Sequence, residues 1–340
     1  MKILSLGHVE ECSDDTIKAL FSGATNLIDK HIHDYANNVS HYFPASALQS
    51  ILSGQSLIFS DAEFLNDIEE NSNIFVVLSQ MLERELIDLD MSPMLANDIR
   101  DYAHIKSLLA SDIIFKEPQN AIKDYKSADI LSYLERRYLL CTSKDNDCLA
   151  MWKYYSKGSG YDAYNIVFSP MDFIECIREN FSCVDNGVRI MHGSIIYDDS
   201  VKKAILKQII TSIDGLYKEH LEDAAFSFRI ELKIRFFNLL NDYGLFFKNE
   251  AYKHEQEYRF LIKLDNLNIK KHCLDYGFRS VGLYQIPFLK LKFKKELVKV
   301  LVTNPTISNN DLAIKGLGAL LDFLEYTDSS IGISTIPLRY

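Results

Sequence analysis

Several features that would assign this chain to a familiar class are missing from its 340 residues. No apolar run approaches the roughly 18 residues of a membrane span, and the N-terminus becomes acidic too early for a signal peptide. We therefore expect a cytoplasmic protein with no membrane partner. The 6 cysteines form no CxxC pair, so we expect reduced, packed thiols rather than disulfides or a metal site.

Motifs for common enzyme chemistry are also missing. There is no Walker loop, no GxGxxG after a strand, no GxSxG and no HExxH, so the usual nucleotide, serine hydrolase and zinc protease classes are excluded. The His-Ile-His at 31–33 has no matching ligand spacing, and we predict no metal site there. A net charge of −10 argues against broad binding to duplex nucleic acid, although basic residues concentrate in the second half.

The hydrophobic pattern predicts an α+β protein, because strand-like segments flank helical blocks without regular strand-helix alternation. We expect an N-terminal helical extension over 1–40, with a helix at 14–32, and one catalytic-like domain over 41–340. Three helical patterns predict a helical insertion at about 73–137, the third of them covering 127–137. The remaining predicted elements are strands near 41–43, 138–143, 163–168, 188–197, 257–264, 297–304 and 333–338, and helices at 150–157, 170–180, 200–243 and 311–325.

Four segments carry a family resemblance. They are HYFPASALQSILSGQSLIFSDAEFLNDIEE at 41–70, LLCTSKDNDCLAMWKYYSKGSGYDAYNIVF at 139–168, GSIIY at 193–197 and FFKNEAYKHEQEYRFLI at 246–262. In this order they resemble the domain-of-unknown-function 2971 family. The last segment is the most specific, because Lys248, Glu255, Glu257, Tyr258 and Arg259 are in register with the family signature. The chain departs from the family pattern at Leu65 and Ile68 in the first segment and at Tyr252 in the last.

The order of His, Tyr and Glu in these segments also resembles the His-Tyr-Glu set of ADP-ribosyltransferases, which implies a mixed sheet core with helical insertions. By that resemblance His41 would hydrogen-bond the adenosine-side ribose of NAD and Tyr155 would stack on nicotinamide. Glu257, or otherwise Glu255, would bind the nicotinamide-side ribose. The predicted catalytic residues are Glu257, Glu255 and Tyr155, and the predicted cofactor-binding residues are His41, Tyr42, Tyr155 and Arg259.

These residue types suit the chemistry. Breaking the bond between nicotinamide and ribose builds positive charge on the sugar, and a carboxylate about 4 Å away stabilises it by on the order of 4 kcal/mol. Ordinary structural roles remain open for the same residues. His41 could be an ordinary strand histidine whose hydrogen bonds are satisfied within the fold, and Trp152 could be a packing residue. Glu257 and Arg259 could form a charge pair on one strand face, on which Glu255 would also lie.

The leading hypothesis is an NAD-consuming ADP-ribosyltransferase or NAD glycohydrolase that acts as a toxin or antiviral effector. Its acceptor would be a protein or a nucleic acid, and a neutralising or regulatory protein would be a partner. One alternative is a metal-dependent nuclease using Asp67, Glu70, Glu255 and Glu257, since oxygen-rich sites suit Mg²⁺ or Mn²⁺. Another is a sensor or interaction module without catalytic activity.

Overall fold

The computed structural model describes residues 36–64, 73–84, 91–110, 135–156, 162–182, 188–220, 226–265, 275–306 and 311–337. The helices are α1 (Leu48–Gly54), α2 (Asn73–Arg84), α3 (Pro93–Ala110), α4 (Leu149–Tyr155), α5 (Pro170–Asn180), α6 (Asp199–His220), α7 (Phe226–Gly244) and α8 (Asp311–Phe323). The strands are β1 (Val39–Pro44), β2 (Ser56–Asp61), β3 (Glu135–Ser143), β4 (Ala163–Phe168), β5 (Val188–Ser194), β6 (Glu257–Asp265), β7 (Asp275–Val281), β8 (Tyr284–Lys292), β9 (Val300–Thr303) and β10 (Ser330–Ile333). Short 3-10 helices cover Ala45–Ala47, Ala62–Phe64, Glu250–Glu255 and Lys295–Leu297.

The described residues divide into two compact units, one helical and one built on a sheet. In the helical unit α2 packs against α3, α6 and α7, and α3 packs against α6. Its interior contains a polar network, in which the buried Asp98 accepts hydrogen bonds from Tyr217 and Lys233. Burial and this bond to Asp98 raise the pKa of the Tyr217 phenol.

The second unit is organised around a ten-stranded, mostly antiparallel sheet with the order β10-β9-β4-β1-β3-β2-β8-β7. The strands β5 and β6 branch from this path, because β3 pairs along its whole length with β6 and β6 pairs with β5. Only β9 and β10 pair in parallel among the described strands. This is an open, mixed α/β architecture, which agrees with the expected combination of sheet and helices.

One face of this sheet, which we call the core face, carries the main hydrophobic core. Alternate residues of β1, β3 and β6 point to it, because side chains in a strand repeat every two residues. Val39, Phe43, Tyr258 and Phe260 are buried there, covered by apolar residues of α5 and α8. The helix α5 begins where the sequence predicts, because Ser169 Oγ accepts the amide hydrogen of Asp172 and proline occupies the first turn.

Two expectations need correction, and one hairpin was not predicted. The helical pattern at 127–137 is wrong for 135–137, which form the start of β3 because this segment pairs with β6. The strand predicted at 333–338 instead ends at Ile333. The sequence reading also missed the hairpin of β7 and β8, whose exposed residues lack clear alternation.

Some predicted features lie outside the described residues. These are the helix at 14–32, most of the third helical pattern, and Leu65 and Ile68, where the chain departs from the family pattern. The single domain over 41–340 and the insertion at about 73–137 stay predictions. None of the helices in the described part of the chain is long and apolar enough to cross a membrane.

Candidate functional site

The sheet brings most of the predicted site residues to its second face, which we call the Glu257 face. Ser143 of β3 pairs with Glu257 of β6 on one side and with Ser40 of β1 on the other. Directly paired residues in an antiparallel sheet point to the same side, so Glu257, Ser143 and Ser40 share a face. Tyr42 and Arg259 lie two residues further along their strands and point the same way.

The centre of this face is a buried ion pair between Glu257 and Arg259. Arg259 Nε donates to Glu257 Oε1 at 2.6 Å and Nη2 donates to Oε2 at 3.0 Å. The two side chains retain 4% and 0% of their exposure, so both charges are removed from water. Two parallel bonds of this kind fix the carboxylate in position as well as compensating its charge.

An aromatic cluster lies on the same face at β1. The Tyr42 ring contacts Trp152 edge-on at 4.7 Å between centroids and is stacked with Tyr155 at 6.2 Å. The helix α4 that carries Trp152 and Tyr155 packs against β1 and β4. Trp152 is fully buried, as expected for a packing residue, whereas Tyr155 is partly exposed. Tyr155 is therefore the member of the cluster that a ligand from solvent can reach.

Hydrogen bonds hold the loop between β3 and α4 against this face. Tyr42 donates its hydroxyl hydrogen to the Asp145 carbonyl at 2.8 Å and accepts from the Cys148 amide at 3.1 Å. Asn165 of β4 donates to the Asn146 carbonyl at 2.7 Å. Burial raises the pKa of the Tyr42 phenol well above its usual range, so this hydroxyl remains protonated and able to donate. Tyr42 is a structural support of the loop in the free protein.

Ser143 links this loop to the segment that precedes Glu257. Its hydroxyl donates to the Glu255 carbonyl at 2.6 Å and accepts from the Asp145 amide at 3.0 Å. Glu255 ends the 3-10 helix, and Gln256 follows it with a φ of 44°, in the left-handed region. The chain therefore turns between the two glutamates. Glu255 is partly buried and does not belong to β6, so the expected ladder of Glu255, Glu257 and Arg259 on one strand is wrong at Glu255.

His41 is the predicted site residue that the structure places apart from the others. It lies between Val39 and Phe43 on the core face, and its ring is stacked with that of Phe43 at 6.1 Å. Its Nδ1 donates to the Cys141 carbonyl at 3.2 Å, and burial lowers its pKa to about 4. The ring is thus neutral at pH 7, on the side of the sheet opposite to Glu257 and Tyr155.

Sequence reasoning did not single out Asp147, although it connects three parts of this unit. Its carboxylate accepts from Trp152 Nε1 at 2.9 Å and from Ser334 Oγ at 2.6 Å. It also accepts from the amide and the hydroxyl of Thr335 at 2.8 and 3.1 Å. The next residue, Ile336, packs against the aromatic cluster. The polar run KDNDC at 144–148 is typical of a turn, and no local signal connects it to residues 334–336.

Metal binding finds no support in the part of the chain that the structure describes. No group of three or more His, Cys, Asp or Glu side chains there is arranged to hold a metal ion. Asp67 and Glu70, which the nuclease hypothesis needs, lie outside the described residues.

The fold and the site define a mixed α/β protein whose large antiparallel sheet carries a buried Glu-Arg pair beside an aromatic cluster. Residues 151–260 match the family model described as "Protein of unknown function (DUF2971)", which confirms the family resemblance over that segment. The matched segment contains Trp152, Tyr155, Glu257 and Arg259 and begins after Tyr42. No curated protein and no solved structure matches the chain.

Proposed function

We propose that this protein is an NAD-consuming enzyme of the ADP-ribosyltransferase type, with its reaction centre on the Glu257 face. The observation that carries the proposal is the convergence of Glu257, Tyr42 and Tyr155 on one side of the sheet. Toxins and antiviral effectors use NAD in this way, and such a role, with a protein or nucleic-acid acceptor, is part of the proposal.

The strand arrangement supports the placement of substrate. Neighbouring strands are about 4.8 Å apart, so β1 and β6, which flank β3, are separated by about 10 Å. Tyr155 on α4 lies over β1 and Glu257 begins β6. In the proposed placement, the nicotinamide ring lies against Tyr155 and the attached ribose extends across β3 toward Glu257.

The ion pair supports the assignment of Glu257 as the carboxylate that stabilises the transition state. As the bond between nicotinamide and ribose breaks, positive charge develops on the sugar, and a fixed negative group favours that state over the ground state. Arg259 holds both carboxylate oxygens, so the group does not need to reorganise during the reaction. In this scheme Arg259 positions Glu257, Glu255 lies at the turn beside it, and His41 lies outside the reaction centre.

The test is release of nicotinamide from labelled NAD, with and without cell lysate and nucleic acid. We expect the wild-type protein to release nicotinamide and Glu257→Gln to lose at least about a hundredfold in rate, as expected when a transition-state contact is removed. Glutamine keeps one acceptor oxygen for Arg259 but leaves its buried charge uncompensated, so circular dichroism must show that the variant is folded before its rate is compared. Tyr155→Ser tests the ring contact separately, and its effect should appear mainly in KM.

Glu175→Gln on α5 is the matched control, because Glu175 is exposed and pairs with Arg178 away from this face. It should retain wild-type activity. Absence of release from folded wild-type protein under every condition would refute the proposal. Equal activity of wild type and Glu257→Gln would show that Glu257 does not stabilise the transition state.

A further inference from the structure

The strand β7 is an edge of the sheet with an unusual set of exposed side chains. Among the described strands it pairs only with β8, through a two-residue turn at Gly282 and Leu283. Phe278 is 59% exposed, and Asp275 and Arg279 are also exposed. Exposed strand edges are templates for pairing with a further strand, and stable proteins usually protect them.

The sequence Asp-Tyr-Gly-Phe-Arg at 275–279 is complementary to itself when two copies run antiparallel. With Gly277 opposite Gly277 of a second copy, Asp275 faces Arg279 and Tyr276 faces Phe278, twice each. Opposite charges and aromatic pairs directly across a sheet are favourable cross-strand contacts. This complementarity argues for a second copy of the chain as the occupant, since a two-fold interface must match its own surface.

The hydrogen-bonding pattern of the hairpin suits the same register. In a two-residue hairpin the pair that flanks the turn, here Val281 and Tyr284, is hydrogen-bonded, and hydrogen-bonded pairs then alternate along the ladder. Tyr276 and Phe278 are therefore among the residues whose backbone groups point outward from β7. In the proposed register these two residues face each other, so their outward amides and carbonyls would pair across the interface.

We propose that β7 forms a two-fold antiparallel contact with β7 of a second copy, which extends the sheet across a homodimer. The rings of Tyr276 and Phe278, whose centroids are 5.3 Å apart within one chain, would form a row of four rings across the interface. Two ion pairs between Asp275 and Arg279 would fix the register. The contact is independent of the proposed NAD chemistry.

Sedimentation equilibrium of the full chain at micromolar concentrations tests this proposal, with three variants. Arg279→Asp places aspartates opposite aspartates, and we expect the dimer dissociation constant to rise at least about tenfold. The exchange variant Asp275→Arg/Arg279→Asp restores opposite charges across the two-fold axis and should restore the dimer. Ser60→Ala removes the hydrogen bond that Arg279 donates within the chain and should leave the dimer unchanged.

A wild-type chain that is monomeric at all these concentrations would overturn the proposal. So would a dimer that persists in Arg279→Asp, or one that the exchange variant fails to restore while circular dichroism shows a folded protein. The side chains of Asp275 and Arg279 are exposed, so their substitution is not expected to unfold the protein.

Discussion

Glu257 and Arg259 form a buried ion pair whose contribution to stability depends on its geometry. Removing two charges from water costs several kcal/mol per ion, and only good mutual geometry offsets that cost. The two hydrogen bonds of this pair satisfy both carboxylate oxygens, as the geometry requires. Either residue without the other would leave an uncompensated buried charge.

Arg259→Met should therefore destabilise the protein by about 3–5 kcal/mol, because Glu257 would remain buried without its partner. The double variant Glu257→Leu/Arg259→Met should be more stable than Arg259→Met alone, since it removes both charges. The free energy of unfolding of both variants is measured by urea unfolding, followed by the fluorescence of Trp152, which is the single tryptophan of the chain. A double variant less stable than Arg259→Met would contradict this account of the pair.

His41 leads to a prediction about pH. The pKa of His41 is about 4 in the folded protein and about 6.5 in the unfolded chain. Between pH 4 and pH 6.5, His41 is therefore protonated mainly in the unfolded chain. The free energy of unfolding should therefore be highest above pH 6.5 and fall as the pH is lowered toward 4. His41 should account for a loss on the order of 2 kcal/mol by pH 4.5.

The measurement compares urea unfolding of wild type and His41→Gln at pH 7.5 and pH 4.5. The glutamine cannot titrate, so the variant should lose less stability than wild type across this range. Identical pH profiles for the two proteins would show that His41 does not carry the effect.

At the scale of elements, α4 depends on contacts far away in the sequence. Asp147 joins Trp152 of α4 to Ser334 and Thr335 after β10. The helix has seven residues, too few to be stable in isolation. Its position against β1 is therefore set by packing and by this carboxylate.

Asp147→Asn should loosen this connection, because one acceptor oxygen becomes an amide donor opposite the amide and hydroxyl donors of Thr335. We expect a loss of about 1–3 kcal/mol in stability and an increase in acrylamide quenching of Trp152 fluorescence. Asp322→Asn, on the exposed side of α8, is the control and should change neither quantity. Unchanged quenching in Asp147→Asn would mean that packing alone holds the helix.

Local sequence signals predicted some of these elements well. The segment AYNIVF forms β4 with every residue buried, and α5 covers Pro170–Asn180, the range that the sequence predicts. The β7–β8 hairpin and the start of β3 were not predictable in this way. The hydrophobic pattern of residues 135–137 indicates a helix, and they form a strand only because they pair with β6.

The candidate site was predictable in its composition but not in its geometry. Period-two alternation places Glu257 and Arg259 on one strand face, as the sequence indicates. It also places His41 and Tyr42 on opposite faces. Which of the two shares a face with Glu257 depends on the registers of β1 with β3 and of β3 with β6, and no local pattern encodes these. The left-handed turn at Gln256 was equally unpredictable from the sequence, because glutamine is not typical of that conformation.

At the scale of the whole molecule, the sheet unit brings together strands from separate parts of the sequence. The ranges 34–65, 132–195 and 251–340 form it, and the segments between them belong to the helical unit. The candidate reaction centre lies on one face of the sheet and the proposed dimer contact at its β7 edge. The two proposals can therefore be tested independently.

The central position of β3 has a consequence for how the chain is made. Thr142 of β3 bonds to Tyr258 of β6, a residue 116 positions later, and pairings this distant in sequence make folding slow. During synthesis, β1 and β3 emerge from the ribosome well before β6 and β9, and their apolar side chains have no complete core to enter until then. This protein should consequently depend on chaperones while it is being translated, more than a helical bundle of the same length would.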